Sequence, residues 1–288
     1  MFLYRLAGGK AASCAGAWIA ACLATASPSS AQDQIAWRQT LNLPMGLNLP
    51  AGVKADILGV ALGEPYASAQ PKLQALLAES QPPHAFDDRR ITITMGAPGG
   101  TVRVQGTFNG EINVRRRLAG STNLKILETI AVHFSAPSSG NQVLGIRRMM
   151  EYERQDEPRV SEIVARLTEK FGSQPQIFKG GPGYTQYRWQ FNDGQAFVPP
   201  RGTLSTDCLN YHVIESSQNL PIANRTGNCD VVMNLDVLQG ISPDHARSLT
   251  FHLSDNERAK RNVGADYAFF EEYINDLAKR SSGVAPRL

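Results

Sequence analysis

The sequence predicts an α+β fold: two helix-plus-antiparallel-sheet modules, arranged as a tandem duplication would leave them, or one continuous sheet made from both, with a C-terminal helix docked on it. Three observations carry that expectation. Short runs of alternating apolar and polar residues recur along the chain, a few stretches carry the stripe of a helix with one buried face, and glycines fall between the runs, where turns belong.

The opening MFLYRLAGGKAASCAGAWIAACLATASPSSAQ sets Arg5 and Lys10 before an alanine-rich apolar stretch over 11–24 and follows it with small residues, the order of a secretory signal. The stretch is shorter than the roughly 20 apolar residues that span a bilayer, so a cleaved signal over 1–31 is expected rather than an anchor. Small side chains at the cut and two residues before it allow cleavage after Ala31 or after Ala26, and Ala31 is preferred. The expected location is periplasmic or secreted. Ile19-Ala20-Ala21-Cys22 also fits the lipobox of bacterial lipoproteins; on that alternative, lipidation of Cys22 anchors the chain to the outer membrane.

Loss of 1–31 removes Arg5 and Lys10 and takes the formal charge from +3 to +1. A chain so nearly neutral lacks the basic excess of a nucleic-acid binder. It has no second long apolar segment, so the membrane enters only through a lipid on Cys22. Of the four cysteines, Cys208 and Cys229 remain. In an oxidising compartment they are expected to form a disulfide closing a loop of about 20 residues, worth on the order of 3 kcal/mol.

Residues 32–52, polar and then rich in Asn, Leu, Gly and Pro, read as a flexible lead-in. The first module is expected over 53–155. It starts with a helix over 68–78 capped by Ser68, with Pro71 in its first turn, a shared face of Leu73, Leu76 and Leu77, and Pro82-Pro83 beyond its end. Strands follow: Ile91, Ile93 and Met95; Val102 and Val104; Ile112 and Val114; Ile130, Val132 and Phe134; Leu144, Ile146, Met150 and Tyr152. The period of two implies antiparallel sheet with one side buried, and Gly96, Gly99, Gly100, Gly110, Gly120 and Gly140 mark the turns.

The second module, 156–288, starts with a helix over 158–171. There Val160, Ile163, Val164, Leu167 and Phe171 make the stripe, Pro158 suits the first turn and Gly172 the C-terminal cap. Strands are expected around Tyr187, Trp189 and Phe191, over 211–214, over 231–237 and over 249–253. A helix over 266–280 closes the module, with Phe270, Tyr273, Ile274 and Leu277 on its apolar face. Both halves thus place a helix before a sheet whose last two strands are long and closely connected.

ILGVALGEPYASAQPKLQALL resembles the entry segment of the BamE/SmpA-like lipoproteins of outer-membrane assembly, in which a short strand and a glycine precede the first helix. VARLTEKFGSQP, leading to YTQYRWQF, resembles that family's later helix, its glycine-to-proline exit and the strand beyond. The resemblance extends to the tandem modules of β-lactamase inhibitor proteins. It implies helices packed on one face of an antiparallel sheet and binding of other proteins rather than catalysis, and it assigns no functional residue.

Candidate chemistry is sparse. Cys208 and His212, four apart in STDCLNYHV, could form an activated thiol or a metal pair. The run reads as extended, however, which sets them about 13 Å apart at roughly 3.3 Å per residue. His84, His133, His212, His245 and His252 are scattered, and His133 and His252 are expected solvated, on the strand face away from the core. GAPGGT at 96–101 and KGGPG at 179–183 sit between strands and read as turns, not phosphate loops. Arg115-Arg116-Arg117 and Arg147-Arg148 read as a solvated sheet face or local ion pairs; the alternative is that their outward members meet anionic lipid headgroups or an acidic partner. No catalytic residue, cofactor or metal is expected, and G-x-S-x-G is absent. The expectation is an exported envelope protein that binds another envelope or secreted protein. The alternatives are a periplasmic enzyme or small-ligand binder with a site between the modules, and an inhibitor of a secreted hydrolase.

Overall fold

The computed structural model describes residues 32–44, 49–96, 103–119, 125–197 and 230–282. The expected signal, Cys22, Cys208, His212, Cys229, Gly99, Gly100, Gly120 and the strand over 211–214 lie outside the described residues. In chain order the elements are β1 (Gln32–Gln34), β2 (Asp56–Ile57), β3 (Val60–Ala61), α1 (Tyr66–Ala75), β4 (Gln81–Gly96), β5 (Arg103–Ala119), β6 (Lys125–Phe134) and β7 (Val143–Glu151). They continue with α2 (Val160–Phe171), β8 (Gln176–Lys179), β9 (Tyr184–Asn192), β10 (Gln195–Ala196), β11 (Val231–Gln239), β12 (Ala246–Asp255) and α3 (Asn256–Ser282).

The fold is mixed α+β, dominated by one ten-stranded sheet. Strands β4, β5, β6, β7, β12, β11, β9 and β8 lie side by side in that order, each antiparallel to its neighbour. β1 adds to β5 in parallel and β10 to β9 antiparallel, while β2 and β3 form a separate small hairpin. The two halves of the chain meet where β7 pairs with β12, from Ser248 opposite Glu151 to Ser254 opposite Gly145.

Register explains the core. Trp189, Met233, Leu253, Ile146, Val132 and Ile112 are successive partners across the sheet, and all are buried. Successive residues of a strand point to opposite faces, so this row and its period-two neighbours make one apolar face. Against it pack Ala69 and Leu73 of α1 and the predicted stripe of α2, with Phe171 5.7 Å from Trp189.

α2 ends as expected at Gly172, whose φ of 64° is the left-handed conformation glycine adopts without strain. Its start is capped from elsewhere: the Ser161 amide donates to Asp244 Oδ1 at 2.9 Å and its hydroxyl to Oδ2 at 2.8 Å. α1 begins two residues before the expected Ser68 cap, because the Tyr66 amide donates to the Asn141 carbonyl at 2.8 Å. Pro71 therefore lies inside the helix, beyond its first turn.

β4 and β5 are much longer than the alternation suggested, and Gly110 is no turn. It lies inside β5 as an extra residue opposite the Arg89–Arg90 step, where the partners change from Arg89 with Glu111 to Arg90 with Asn109. On β4 the buried residues change parity across this step. Phe86 joins the core under α1, whereas Ile91, Ile93 and Met95 join a second core. One unopposed residue thus turns the apolar side of the hairpin's far half onto the other face.

That second core is closed by α3 and by the lead-in. Residues 32–44, read as flexible, are instead packed: Ile35 is buried, and Trp37 stacks on Phe269 at 5.6 Å and meets Phe108 and Phe270 edge-on. A Cβ on Gly106 would lie 2.6 Å from the Trp37 ring, so only glycine admits this approach. The aromatic surface of Trp37 outweighs the turn-forming composition around it. α3 covers the expected 266–280 and starts ten residues earlier, at Asn256. Its first half is polar because it covers buried polar groups: Arg258 donates to Gln142 Oε1 at 2.8 Å and Asp266 accepts from the Ala136 amide at 3.0 Å.

Candidate functional site

One residue along each strand from the apolar row, alternation produces a very different row on the opposite face. Gln176, Arg188, Asn234, His252, Arg147, Ala131 and Asn113 are successive partners across the sheet. At the usual strand spacing, Arg188 and Arg147 lie about 14 Å apart, with Asn234 and His252 between them.

These groups are joined rather than independently solvated. Arg188 donates from Nε to Asn234 Oδ1 at 2.7 Å and from Nη2 to Gln186 Oε1 at 2.6 Å. Gln186 Nε2 donates in turn to Asp236 Oδ1 at 2.7 Å, and His252 Nε2 lies 3.4 Å from Asp236 Oδ2. The Arg188 guanidinium also stands 4.8 Å over the Phe178 ring. Burial pushes the Asp236 carboxyl up, but hydrogen bonds from His252, Gln186 and Tyr184 and the His252 charge outweigh it and hold the carboxyl below its usual range.

Arg188 and Asn234 are only 2% and 0% exposed, as deep as the apolar residues behind them. Among the described residues, the buried Asn234 Nδ2 and Ser254 Oγ have no hydrogen-bond partner. A row along the strands from Gln186 and Asp236, the same face turns apolar. Tyr184 and Leu238 are cross-strand partners, 37% and 36% exposed, and Ile241 beyond them is 50% exposed. The face therefore carries a buried, internally bonded polar strip that ends in an exposed aromatic and aliphatic corner.

The sequence-derived candidates fall around this face. His133 and His252 do lie away from the apolar face, but neither is solvated. The His252 side chain is 11% exposed. His133 is half-buried, and burial, then the charges of Arg147 and Arg89, push its pKa down to about 3, so it stays neutral. The basic patches divide by parity. Arg115 and Arg147 are exposed on the polar face. Arg116 and Arg148 instead point into the core side and both pair with the fully buried Glu128, Arg148 at 2.5 Å. Neither Arg116 nor Arg148 is available to an anionic partner.

KGGPG forms the β8–β9 turn, with Gly183 at φ 75°. His245 bonds to Ser242 Oγ at 2.7 Å in the loop before β12. The Cys208, His212 and Cys229 chemistry lies outside the described residues. Among the described residues no cluster of His, Cys, Asp and Glu could hold a metal ion, and no helix is long and apolar enough to cross a membrane.

Sequence reasoning passed over Arg188, Gln186, Asn234 and Asp236. The signal was there in YTQYRWQF and VVMNLDV, whose polar members recur at period two like their apolar ones. It reads as an ordinary solvated face until burial is known. Comparison with known protein families, with curated proteins and with solved structures returns no match.

Proposed function

We propose that this is an exported, non-catalytic binding protein that takes another envelope or secreted protein on the polar face of its sheet. The observation that carries the reading is the exposed corner of Tyr184, Leu238 and Ile241, which the buried Arg188–Asn234–Gln186–Asp236–His252 network beside it holds rigid. An exposed aromatic residue on a rigid support, with exposed aliphatic neighbours and the exposed Arg147 on the same sheet face, is the chemistry of protein-recognition hot spots. Export rests on the amino-terminal signal, with cleavage after Ala31 or lipidation at Cys22, and places the Cys208 and Cys229 thiols where they would pair.

The strand order favours reading the two halves as tandem modules. α1 with β4 to β7 and α2 with β8, β9, β11 and β12 each place a helix before four main strands, and their last strands pair with each other. That arrangement is the one expected from the resemblance to BamE/SmpA-like lipoproteins and to the tandem modules of β-lactamase inhibitor proteins. An inhibitor of a secreted hydrolase is the same reading with the partner specified.

A photo-crosslinking residue at Leu238 or Arg147, compared with one at exposed Arg166 on α2, tests the proposal in the native host. A discrete crosslinked species at the first two positions, lost when Tyr184→Ala is added, is expected. Equal labelling at all three positions would sink it.

A further inference from the structure

A sheet that is not closed has two edges, and each offers unpaired main-chain groups to any passing strand unless something blunts it. At one edge this protein uses brevity: β8 has four residues and β10 two. The other edge is β4, sixteen residues long. Its first half is blunted in the usual ways, by Pro82 and Pro83, by charged Asp87, Asp88 and Arg89, and by the register shift opposite Arg89–Arg90.

From Ile91 to Gly96 none of these devices is present. The run Ile91-Thr92-Ile93-Thr94-Met95 is β-branched almost throughout, uncharged, free of proline and regularly paired on its inner side from Arg90 opposite Asn109 to Gly96 opposite Arg103. Among the described residues its main chain bonds to β5 alone.

The run is also self-complementary. Antiparallel pairing of a strand with its own copy requires partners of equal parity, so the two-fold axis must pass through a residue. About Ile93, Ile91 meets Met95 of the copy, Thr92 meets Thr94, Ile93 meets Ile93 and Arg90 meets Gly96, with no like charges directly opposed. Thr92 and Thr94 are exposed, and such cross-strand threonine pairs favour pairing. About Asp88 or Arg89, by contrast, a like-charged pair would sit on the axis.

We propose that two copies of this chain join through Arg90–Gly96 of β4, paired antiparallel about Ile93, so that their sheets run on as one. The surface is separate from the polar face and leaves it open in both copies.

Light scattering on the purified full chain, from low to high micromolar concentration, is the test. Twice the chain mass is expected, falling to a single chain mass in the double variant Thr92→Lys, Thr94→Lys, which sets lysine against lysine. Circular dichroism should be unchanged, since both threonines are exposed, and the melting temperature of the variant should lose the dependence on protein concentration that a dimer gives the wild type. Mixing that variant with Thr92→Glu, Thr94→Glu should restore the doubled mass. A wild-type chain that stays single at all concentrations, or a dimer that persists in the lysine variant, would overturn the proposal.

Discussion

Asp266 is a buried carboxyl that meets no arginine among the described residues. It accepts from the Ala136 amide and, at 2.5 Å, from the Ser138 hydroxyl, and burial pushes its pKa up to about 6. A raised carboxyl pKa means the native state holds the proton more tightly than the unfolded chain does. The stabilisation is complete below about 4 and is lost as pH rises through about 6, a swing of about 3 kcal/mol. Asp266→Asn removes the titration, so relative to wild type it should gain stability from pH 4 to pH 7, read from melting temperatures. A difference independent of pH would count against the assignment. His133 has the opposite sign. Its neutral form is favoured, so its contribution is present above about 6.5 and falls away on acidification.

Elements here are set by residues distant in sequence. Ser68 looked like the cap of the first helix, but Asn141 supplies the acceptor and moves the start to Tyr66. Asp244 does the same for α2, and its two bonds from Ser161 hold its carboxyl below the usual range against a small opposing effect of burial. Its contribution is present above the ordinary carboxylate range and lost as pH falls through the depressed value. Asp244→Ala should speed amide exchange at Ser161 and the next turn while leaving the end near Phe171 protected; uniform exchange along α2 would argue against a capping role. The stripe from Val160 to Phe171 was legible because local periodicity and tertiary burial agree. Gly110 was not, because a glycine between two alternating runs reads the same whether the chain turns there or only shifts register.

On the scale of the molecule, the α+β class and the antiparallel runs followed from alternation alone. One sheet running through both halves was among the arrangements the alternation allowed, but its seam at β7 and β12 was not legible, since partners so far apart in sequence leave no local mark. Nor was the second core, in which Trp37 from the lead-in reaches Phe269 and Phe270 of α3. The shared seam carries Ile146 against Leu253 and Met150 against Leu249, and Ile146, Leu249 and Leu253 belong to one core with residues of both α1 and α2. It should make 53–155 and 156–288 unfold together. Calorimetry of the whole chain should give one transition with matching calorimetric and van't Hoff enthalpies; two separated transitions would mean that the halves are independent.

The seam also orders events in time. β7 is complete by Glu151, whereas the strand that pairs with it begins only at Ala246. A chain made from its amino-terminal end therefore carries that flank of β7 open until β12 follows. Until then Ile146 and Met150 lack their neighbours Leu253 and Leu249, and β12 with α3 behind it is the clasp that closes the sheet.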